Sequence, residues 1–117
     1  MKNKILIILV VLILSLNACG GNINDVNIID VDSEIYSETE INGAIDIVLR
    51  YFKDNFKGCT LTEIHYIGDN SYEEFVEWAE QYKADQAIVL VSSFDVGSSG
   101  GDGSLNPNSR YDSWKWI

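Results

Sequence analysis

The sequence predicts an α+β domain, with a long N-terminal helix and a second, short helix packed on a small curved sheet of mixed or antiparallel strands. Two apolar stripes at three- and four-residue spacing, beginning after Ser37 and after Ser71, predict the helices. Short runs of β-branched and aromatic residues follow each stripe and predict the strands. Helices and strands of this kind bury their apolar faces against each other around one core.

The long helix is predicted over residues 38–57. Ser37 and Glu40 form a capping-box pattern, in which each side chain satisfies a backbone amide at the helix start. The positive charge of Lys53, in the last turns, is stabilised by the negative end of the helix dipole. Gly58 readily adopts the left-handed backbone conformation that commonly ends a helix. One buried face is predicted from the apolar stripe Ile41, Ala44, Ile45, Val48, Leu49, Phe52 and Phe56.

A strand and the short helix come next. The run CTLTEIHYI at residues 59–67 is rich in β-branched and aromatic residues and too short for another long helix, so it predicts a strand. Ser71 and Glu74 repeat the capping-box pattern at the start of a helix over residues 72–83, whose apolar face carries Phe75, Trp78, Ala79 and Tyr82. The segment is long enough for a crossover connection to the next strand.

The last third of the chain predicts two strands and a long loop. The aliphatic run AIVLV at residues 87–91 is typical of a strand covered on both faces. Residues 97–110 are rich in Gly, Ser, Asn and Asp and contain the single proline, a composition that predicts a surface loop. Residues 111–117, YDSWKWI, alternate as a strand does, and because the chain stops inside that strand we expect a domain that lacks its last strand.

The N-terminal residues predict a cleaved leader. Two lysines precede a twelve-residue apolar run, Ile5–Leu16, which is shorter than the roughly 20 apolar residues that a membrane-spanning helix needs. The run ends in LNAC, which resembles the lipobox of bacterial lipoproteins. This resemblance implies a signal peptide over residues 1–18, acylation of Cys19, and a lipid-anchored protein on the extracytoplasmic face of the cell membrane. An ordinary secretory signal and an uncleaved anchor are the alternatives.

The segment between the leader and the domain is predicted to be the lipidated N-terminus and an acidic tether, residues 19–36. It contains four acidic and no basic residues after Cys19, and its reach is at most about 55 Å at roughly 3.3 Å per residue. The alternative is that VNIIDV, within this segment, forms a short edge strand. The α+β domain itself is expected over residues 37–117.

Charge and cysteine content limit the possible partners. Cleavage would remove two of the eight basic residues and leave six against 18 acidic ones, a net charge of −12. Such a surface repels phosphate backbones and anionic lipid headgroups, so we expect no nucleic-acid partner. Acylation of Cys19 would exclude an intrachain disulfide with Cys59, so the fold must depend on its apolar core. The sequence predicts no oligomeric state.

Three stretches together resemble a group of small, uncharacterised lipoproteins of Firmicutes: YFKDNFKGCTLTEIHYIGD, SSFDVGSSGGDGSLNPN and SWKWI. The resemblance covers residues 37–117 and implies an NTF2-like or cystatin-like α+β domain, with a long helix across a curved sheet. Members of the group continue past the position of Ile117 into one more strand. The group has no established activity, so the resemblance implies no catalytic residue.

Two side-chain pairs on the first strand were weighed as catalytic groups. Cys59 and His65 have the same strand parity, but six residues separate them by about 20 Å, too far for a nucleophile and its base. A small buried cysteine is therefore expected. Glu63 and His65 are about 7 Å apart along the strand and form the candidate acid–base pair. An exposed carboxylate–imidazole pair or a core histidine is the structural alternative.

The loop at residues 97–110 contains the candidate cation ligands. Asp102, Ser104, Asn106 and Asn108 offer oxygens at alternate positions, as calcium loops do. Pro107 stands where the turn glycine of an EF-hand belongs, and Ser113 where its bidentate glutamate belongs. A loop held by Asx turns is the favoured interpretation. Without a lysine or the glycine spacing of a phosphate-binding loop, the segment predicts no cofactor.

Aromatic residues near the C-terminus suggest the remaining candidate site. Tyr66, Tyr111, Trp114 and Trp116 are candidates for an aromatic ligand wall, with a core that covers the helix as the favoured alternative. The leading functional prediction is a binding module for a small molecule or protein in the concavity of the sheet. The alternatives are an enzyme that places Glu63 and His65 in a closed pocket, and a structural or immunity-type envelope protein.

Overall fold

The computed structural model describes residues 20–101 and 103–117 as an α+β domain. The predicted leader, Cys19 and the loop residue Asp102 lie outside the described residues. The secondary-structure elements, in chain order, are β1 (Asn27–Ile29), α1 (Glu38–Asn55), β2 (Cys59–Tyr66), a 3₁₀ turn (Asp69–Ser71), α2 (Tyr72–Gln81), β3 (Leu90–Val96) and β4 (Arg110–Trp116).

The four strands form one mixed sheet in the order β1-β2-β3-β4. β1 is parallel to β2, and the pairs β2–β3 and β3–β4 are antiparallel. The helix α1 supplies the crossover that parallel neighbours require. The connection through α2 instead returns the chain antiparallel to β2, so the segment predicted to be long enough for a crossover does not make one.

The predicted fold class is wrong in its principal element, the long N-terminal helix. The first described element is the strand β1, and the helix after it has 18 residues, two fewer than the predicted range 38–57. The helix stops because Phe56 leaves the helical backbone region (φ −102°, ψ 58°) and Gly58 adopts a positive φ of 75°. The chain therefore forms a mixed four-stranded sheet with two helices of 18 and 10 residues.

Only the first of the two predicted capping boxes forms. The Ser37 hydroxyl accepts a hydrogen bond from the Glu40 amide, and the Ser37 amide donates to the Glu40 carboxylate, each at 3.1 Å. Ser71 makes no such bond, because it belongs to the 3₁₀ turn and lacks the extended backbone of a capping residue (φ −97°, ψ 23°). The Glu74 carboxylate instead accepts a hydrogen bond from Lys115 Nζ at 2.6 Å.

The third strand begins later than the aliphatic run AIVLV suggested. β3 starts at Leu90 and continues through SSFDV to Val96, with alternating buried and half-buried residues. Pairing with β2 sets this register, because Leu90 lies opposite Tyr66 and Val96 opposite Cys59. The side chains of Ser92 and Phe94 consequently point into the core.

A β-bulge in β2 changes which residues face the core. The register shifts between Leu61 and Glu63, and a bulge inserts one extra residue that reverses the alternation of faces. Cys59 and Leu61 are buried before the bulge, whereas Ile64 and Tyr66 are buried after it. Residues before and after the bulge therefore do not follow a simple two-residue parity.

The segment expected to be an acidic tether packs on the domain. The residues Asn27–Ile29 pair in parallel with β2, as in the edge-strand alternative, and Asn22 makes an isolated parallel bridge to Thr60. Ile23 and Val26 pack against the buried core. Tyr36 is itself buried, and its hydroxyl donates a hydrogen bond to the Ala87 carbonyl at 2.5 Å.

Asp69 fixes the end of this segment to β2. Its carboxylate accepts hydrogen bonds from the Ser33 hydroxyl (2.6 Å), the Glu34 amide (2.7 Å) and the Tyr66 hydroxyl (2.7 Å). The bond from Ser33, followed by those from Glu34 and Tyr66, lowers the pKa of Asp69, because each stabilises the carboxylate form. Burial, and then the bond to Asp69, raises the pKa of Tyr66.

Candidate binding groove

An apolar groove opens between α1 and the C-terminal end of α2. The α1 wall consists of Ala44, Ile47, Val48 and Tyr51, whose spacing places them on one helical face. Ile47 is 65% exposed and Tyr51 is 53% exposed, although the neighbouring stripe through Ile45 and Val48 is buried. This wall therefore presents apolar surface that the core does not cover.

The opposite wall is aromatic. Trp78 and Tyr82 lie one helical turn apart and stack, with ring centroids 5.9 Å apart and an interplanar angle of 16°. Tyr82 is 65% exposed. Ala84, Gln86, Ala87 and Ile88, which follow the helix, complete this wall.

The end of β4 closes one side of the groove. Trp116 lies edge-to-face against Tyr51 at 6.1 Å between ring centroids, and its Nε1 donates a hydrogen bond to Ser92 Oγ at 2.8 Å. Ser92 is buried, so this bond fixes the orientation of the indole. Trp116 and Ile117 both line the groove.

The groove has the size and chemical character of a small-molecule site. Its volume is about 720 Å³, and ligand sites typically occupy about 300–1,000 Å³. None of the lining residues carries a charge, and Gln86 is the lining amide side chain. Apolar walls with few polar groups favour burial of an apolar ligand.

The four residues of the predicted ligand wall do not form one surface. Tyr66 is fully buried beneath α2, with its hydroxyl on Asp69. Tyr111 stacks on Phe94 at 5.3 Å, and Trp114 packs edge-to-face on Phe94 at 5.2 Å. Trp116 is the member of the set that lines the groove. The aromatic strand thus covers mainly the core, as in the alternative favoured from the sequence.

Glu63 and His65 lie on the opposite face of the sheet from these aromatic residues. They neighbour Ile64, which points into the core, so their own side chains point away from it. His65 Nδ1 is 3.7 Å from Glu63 Oε1, beyond hydrogen-bond distance, and the two side chains are 29% and 41% exposed. The buried Nδ1 atom has no hydrogen-bond partner. A closed pocket combining this pair with the tryptophans is not formed.

Cys59 is buried at the start of β2, and its Sγ lies 3.8 Å from the Lys57 carbonyl oxygen. The equal parity expected for Cys59 and His65 does not hold, because the bulge between them places Cys59 on the core face and His65 on the other. This difference adds to the distance argument against a thiol–imidazole pair.

The loop that contains the candidate cation ligands is held by hydrogen bonds within the domain. The Asn106 amide donates to the Tyr111 hydroxyl at 3.1 Å, and the Ser109 hydroxyl donates to the Asn106 carbonyl at 2.5 Å. Asn108 adopts a positive φ of 53°, and Ser104 lies beside Leu105 and Trp114. Within residues 20–101 and 103–117, no group of three or more His, Cys, Asp or Glu side chains could hold a metal ion.

The exposed residues of the groove are not distinguished by the sequence pattern. Ile47 and Tyr51 lie beside the predicted apolar stripe of α1, and Tyr82 was assigned to the buried face of α2. A signal for exposed apolar surface was present in the sequence, because α1 has more apolar residues than one narrow buried stripe requires. Only the packing of α2 decides which of these side chains the core covers.

Among the described residues, no helix combines the length and the apolar character needed to cross a membrane. Comparison with known proteins found no matching family model, no matching curated protein and no matching solved structure.

Proposed function

We propose that this protein is a lipoprotein, anchored through Cys19 on the extracytoplasmic face of the cell membrane, that binds a small apolar ligand in the groove between α1 and α2. The observation that carries the binding proposal is the groove itself: about 720 Å³, lined without a charged residue and bordered by the exposed side chains of Ile47, Tyr51 and Tyr82. Exposed apolar surface that forms a concavity is typical of a binding site.

The site differs in place from the sheet concavity expected from the sequence. The helix-covered face of the sheet is filled by core side chains, including Leu61, Ile64 and Phe94. Ligand space remains between the two helices, beside the end of β4. An enzyme based on Glu63 and His65 has no comparable support, because that pair lies on the other face of the sheet and lines none of the cavities described here.

Binding can be tested with N-phenyl-1-naphthylamine, an uncharged apolar fluorophore, and the full mature chain. We expect a saturable increase in fluorescence. Tyr82→Ala should weaken binding about tenfold, since the loss of about 1.4 kcal/mol of aromatic contact corresponds to that factor. Tyr72→Ala is the matched control, because Tyr72 is an exposed tyrosine on the same helix that does not line the groove.

Equal effects of the two tyrosine substitutions, or no saturable binding, would contradict the groove as the site. The anchor is tested separately by incorporation of radiolabelled palmitate. We expect the label to be lost in Cys19→Ser and retained in Cys59→Ala, which removes the other cysteine. Equal labelling of Cys19→Ser and the native chain would contradict the anchor.

A further inference from the structure

The described N-terminal residues lie against the C-terminal end of α1. The Gly21 amide donates a hydrogen bond to the Lys53 carbonyl, and the Asn22 amide donates to the Cys59 carbonyl, both at 2.9 Å. A Cβ atom on Gly21 would lie 2.3 Å from the Phe52 carbonyl oxygen, so only glycine permits this approach. The chain therefore meets the domain beside Lys53.

This docking leaves almost no tether between the domain and the proposed anchor. Only Gly20 lies between Cys19 and Gly21, and the two residue steps from Cys19 to Gly21 span at most about 7 Å. The sequence alone suggested a tether of up to about 55 Å. An acyl chain on Cys19 would therefore hold the C-terminal end of α1 close to the bilayer surface.

The charges of the domain are distributed unevenly along the sheet. We call the end where β2 and β4 begin the proximal end, and the end where they finish the distal end. Lys53 and Lys57 are exposed at the proximal end, together with Asp54 on the last turn of α1 and the ion pair between Asp95 and Arg110. The distal end carries the acidic residues Asp30, Asp32, Glu34, Glu38, Glu40, Asp69, Glu73 and Glu74.

We propose that the proximal end is a membrane-contact face, held by the acylated Cys19 and by attraction of Lys53 and Lys57 to anionic lipid headgroups. This inference rests on the proposed anchor at Cys19. The net charge of −12 does not oppose it, because repulsion falls off within about 8 Å in physiological salt and eight of the 18 carboxylates lie at the distal end. Basic residues adjacent to a bilayer add to the binding that one lipid anchor provides.

This orientation keeps the groove accessible. Trp116, which lines the groove, pairs with Leu90 at the distal end of the sheet. A face pressed against the bilayer at Lys53 and Lys57 would leave that end in the aqueous phase. A ligand could then reach the groove without passing through the contact face.

Energy transfer from the protein to an acceptor dye on lipid headgroups tests the orientation. The acylated full chain is reconstituted in vesicles of phosphatidylcholine and phosphatidylglycerol, with a donor at Asn55→Cys or at Glu73→Cys. Both positions are exposed, one at each end of the domain, and the native Cys59 is buried. We expect several-fold higher transfer from position 55, whereas equal transfer from the two positions would overturn the proposal.

The charge contribution is tested in the same vesicles. Lys53→Glu combined with Lys57→Glu should reduce the difference between the two donor positions, and Lys83→Glu, an exposed lysine on the segment after α2, should not. The reduction should disappear in vesicles of phosphatidylcholine alone. An unchanged difference in the double variant would overturn the role of the lysines.

Failure of the orientation is distinguishable from failure of the anchor. If the chain incorporates palmitate and binds vesicles but the two donors transfer equally, the anchor stands and the contact face is wrong. If Cys19→Ser binds vesicles as the native chain does, the anchor is wrong, and the orientation loses its basis with it.

Discussion

At the scale of single residues, Asp69 joins two parts of the chain that are distant in sequence. Its carboxylate accepts three hydrogen bonds, two from Ser33 and Glu34 and one from Tyr66. The sequence indicated a turn at this position but gave no sign of the bonds from Glu34 and Ser33, because these residues lie 35 and 36 positions earlier in the chain. Tertiary structure brings Ser33 and Glu34 to this site, whereas Tyr66 lies three residues before Asp69 in the chain.

These bonds predict a dependence of stability on pH. Because the pKa of Asp69 is lower in the folded protein than the ordinary value near 3.9, its stabilising contribution is complete above about pH 5 and declines as the pH falls through the folded-state pKa. Asp69→Asn should lower the free energy of unfolding at pH 7 and flatten this decline. Urea unfolding between pH 3 and pH 7 measures both effects.

Asp46→Asn is the control for the pH series, because Asp46 is an exposed carboxylate on α1. It should leave both the free energy of unfolding and its decline at low pH nearly unchanged. A decline of the same steepness in Asp69→Asn and in the native chain would contradict the assignment to Asp69.

At the scale of elements, the two capping patterns are matched in sequence but not in structure. Ser37 makes the capping hydrogen bond and Ser71 does not. Ser37→Ala should lower the free energy of unfolding by about 1 kcal/mol, because it leaves the Glu40 amide unsatisfied. Ser71→Ala should change it by less than about 0.5 kcal/mol.

Urea or thermal unfolding of the two alanine variants measures this difference. Equal destabilisation would contradict the observed caps. Ser37 and Ser71 also show why the sequence pattern alone does not predict a capping box. The first residue of the box needs an extended backbone. The 3₁₀ turn before α2 gives Ser71 a different backbone conformation.

Strand boundaries show the same limit at the level of the sheet. The aliphatic run at residues 87–91 marked the third strand about three residues early, because hydrophobicity reports burial and not hydrogen-bond register. Val89 is indeed buried, but it precedes the strand and accepts a hydrogen bond from the Ile67 amide. The bulges in β2 and β4 likewise have no sequence signal here.

At the scale of the whole molecule, residues 20–36 belong to the folded domain. They contribute β1, the buried Tyr36 and apolar contacts from Ile23, Val26 and Val31. Deletion of residues 20–36 should lower the free energy of unfolding by more than about 3 kcal/mol, the smallest cost expected for losing one buried aromatic side chain. The comparison of urea unfolding midpoints tests this expectation.

The control for the deletion is Ile28→Ser, a change in the same segment at a side chain that is 47% exposed. It should shift the midpoint much less. If the deletion left the midpoint unchanged, the segment would be a tether after all, and the short distance between domain and membrane that supports the contact face would no longer follow.

The sequence by itself determined the α1 cap and stripe, the α+β character, and the leader pattern that predicts an anchor at Cys19. These features are encoded within a few neighbouring residues, where helical spacing and capping chemistry act directly. Only the tertiary structure decided the position of residues 20–36, the exchange of faces at the β2 bulge, and the groove. Each of these depends on which distant surfaces cover one another, and the exposed fraction of Ile47 or Tyr82 cannot be read from its own neighbours.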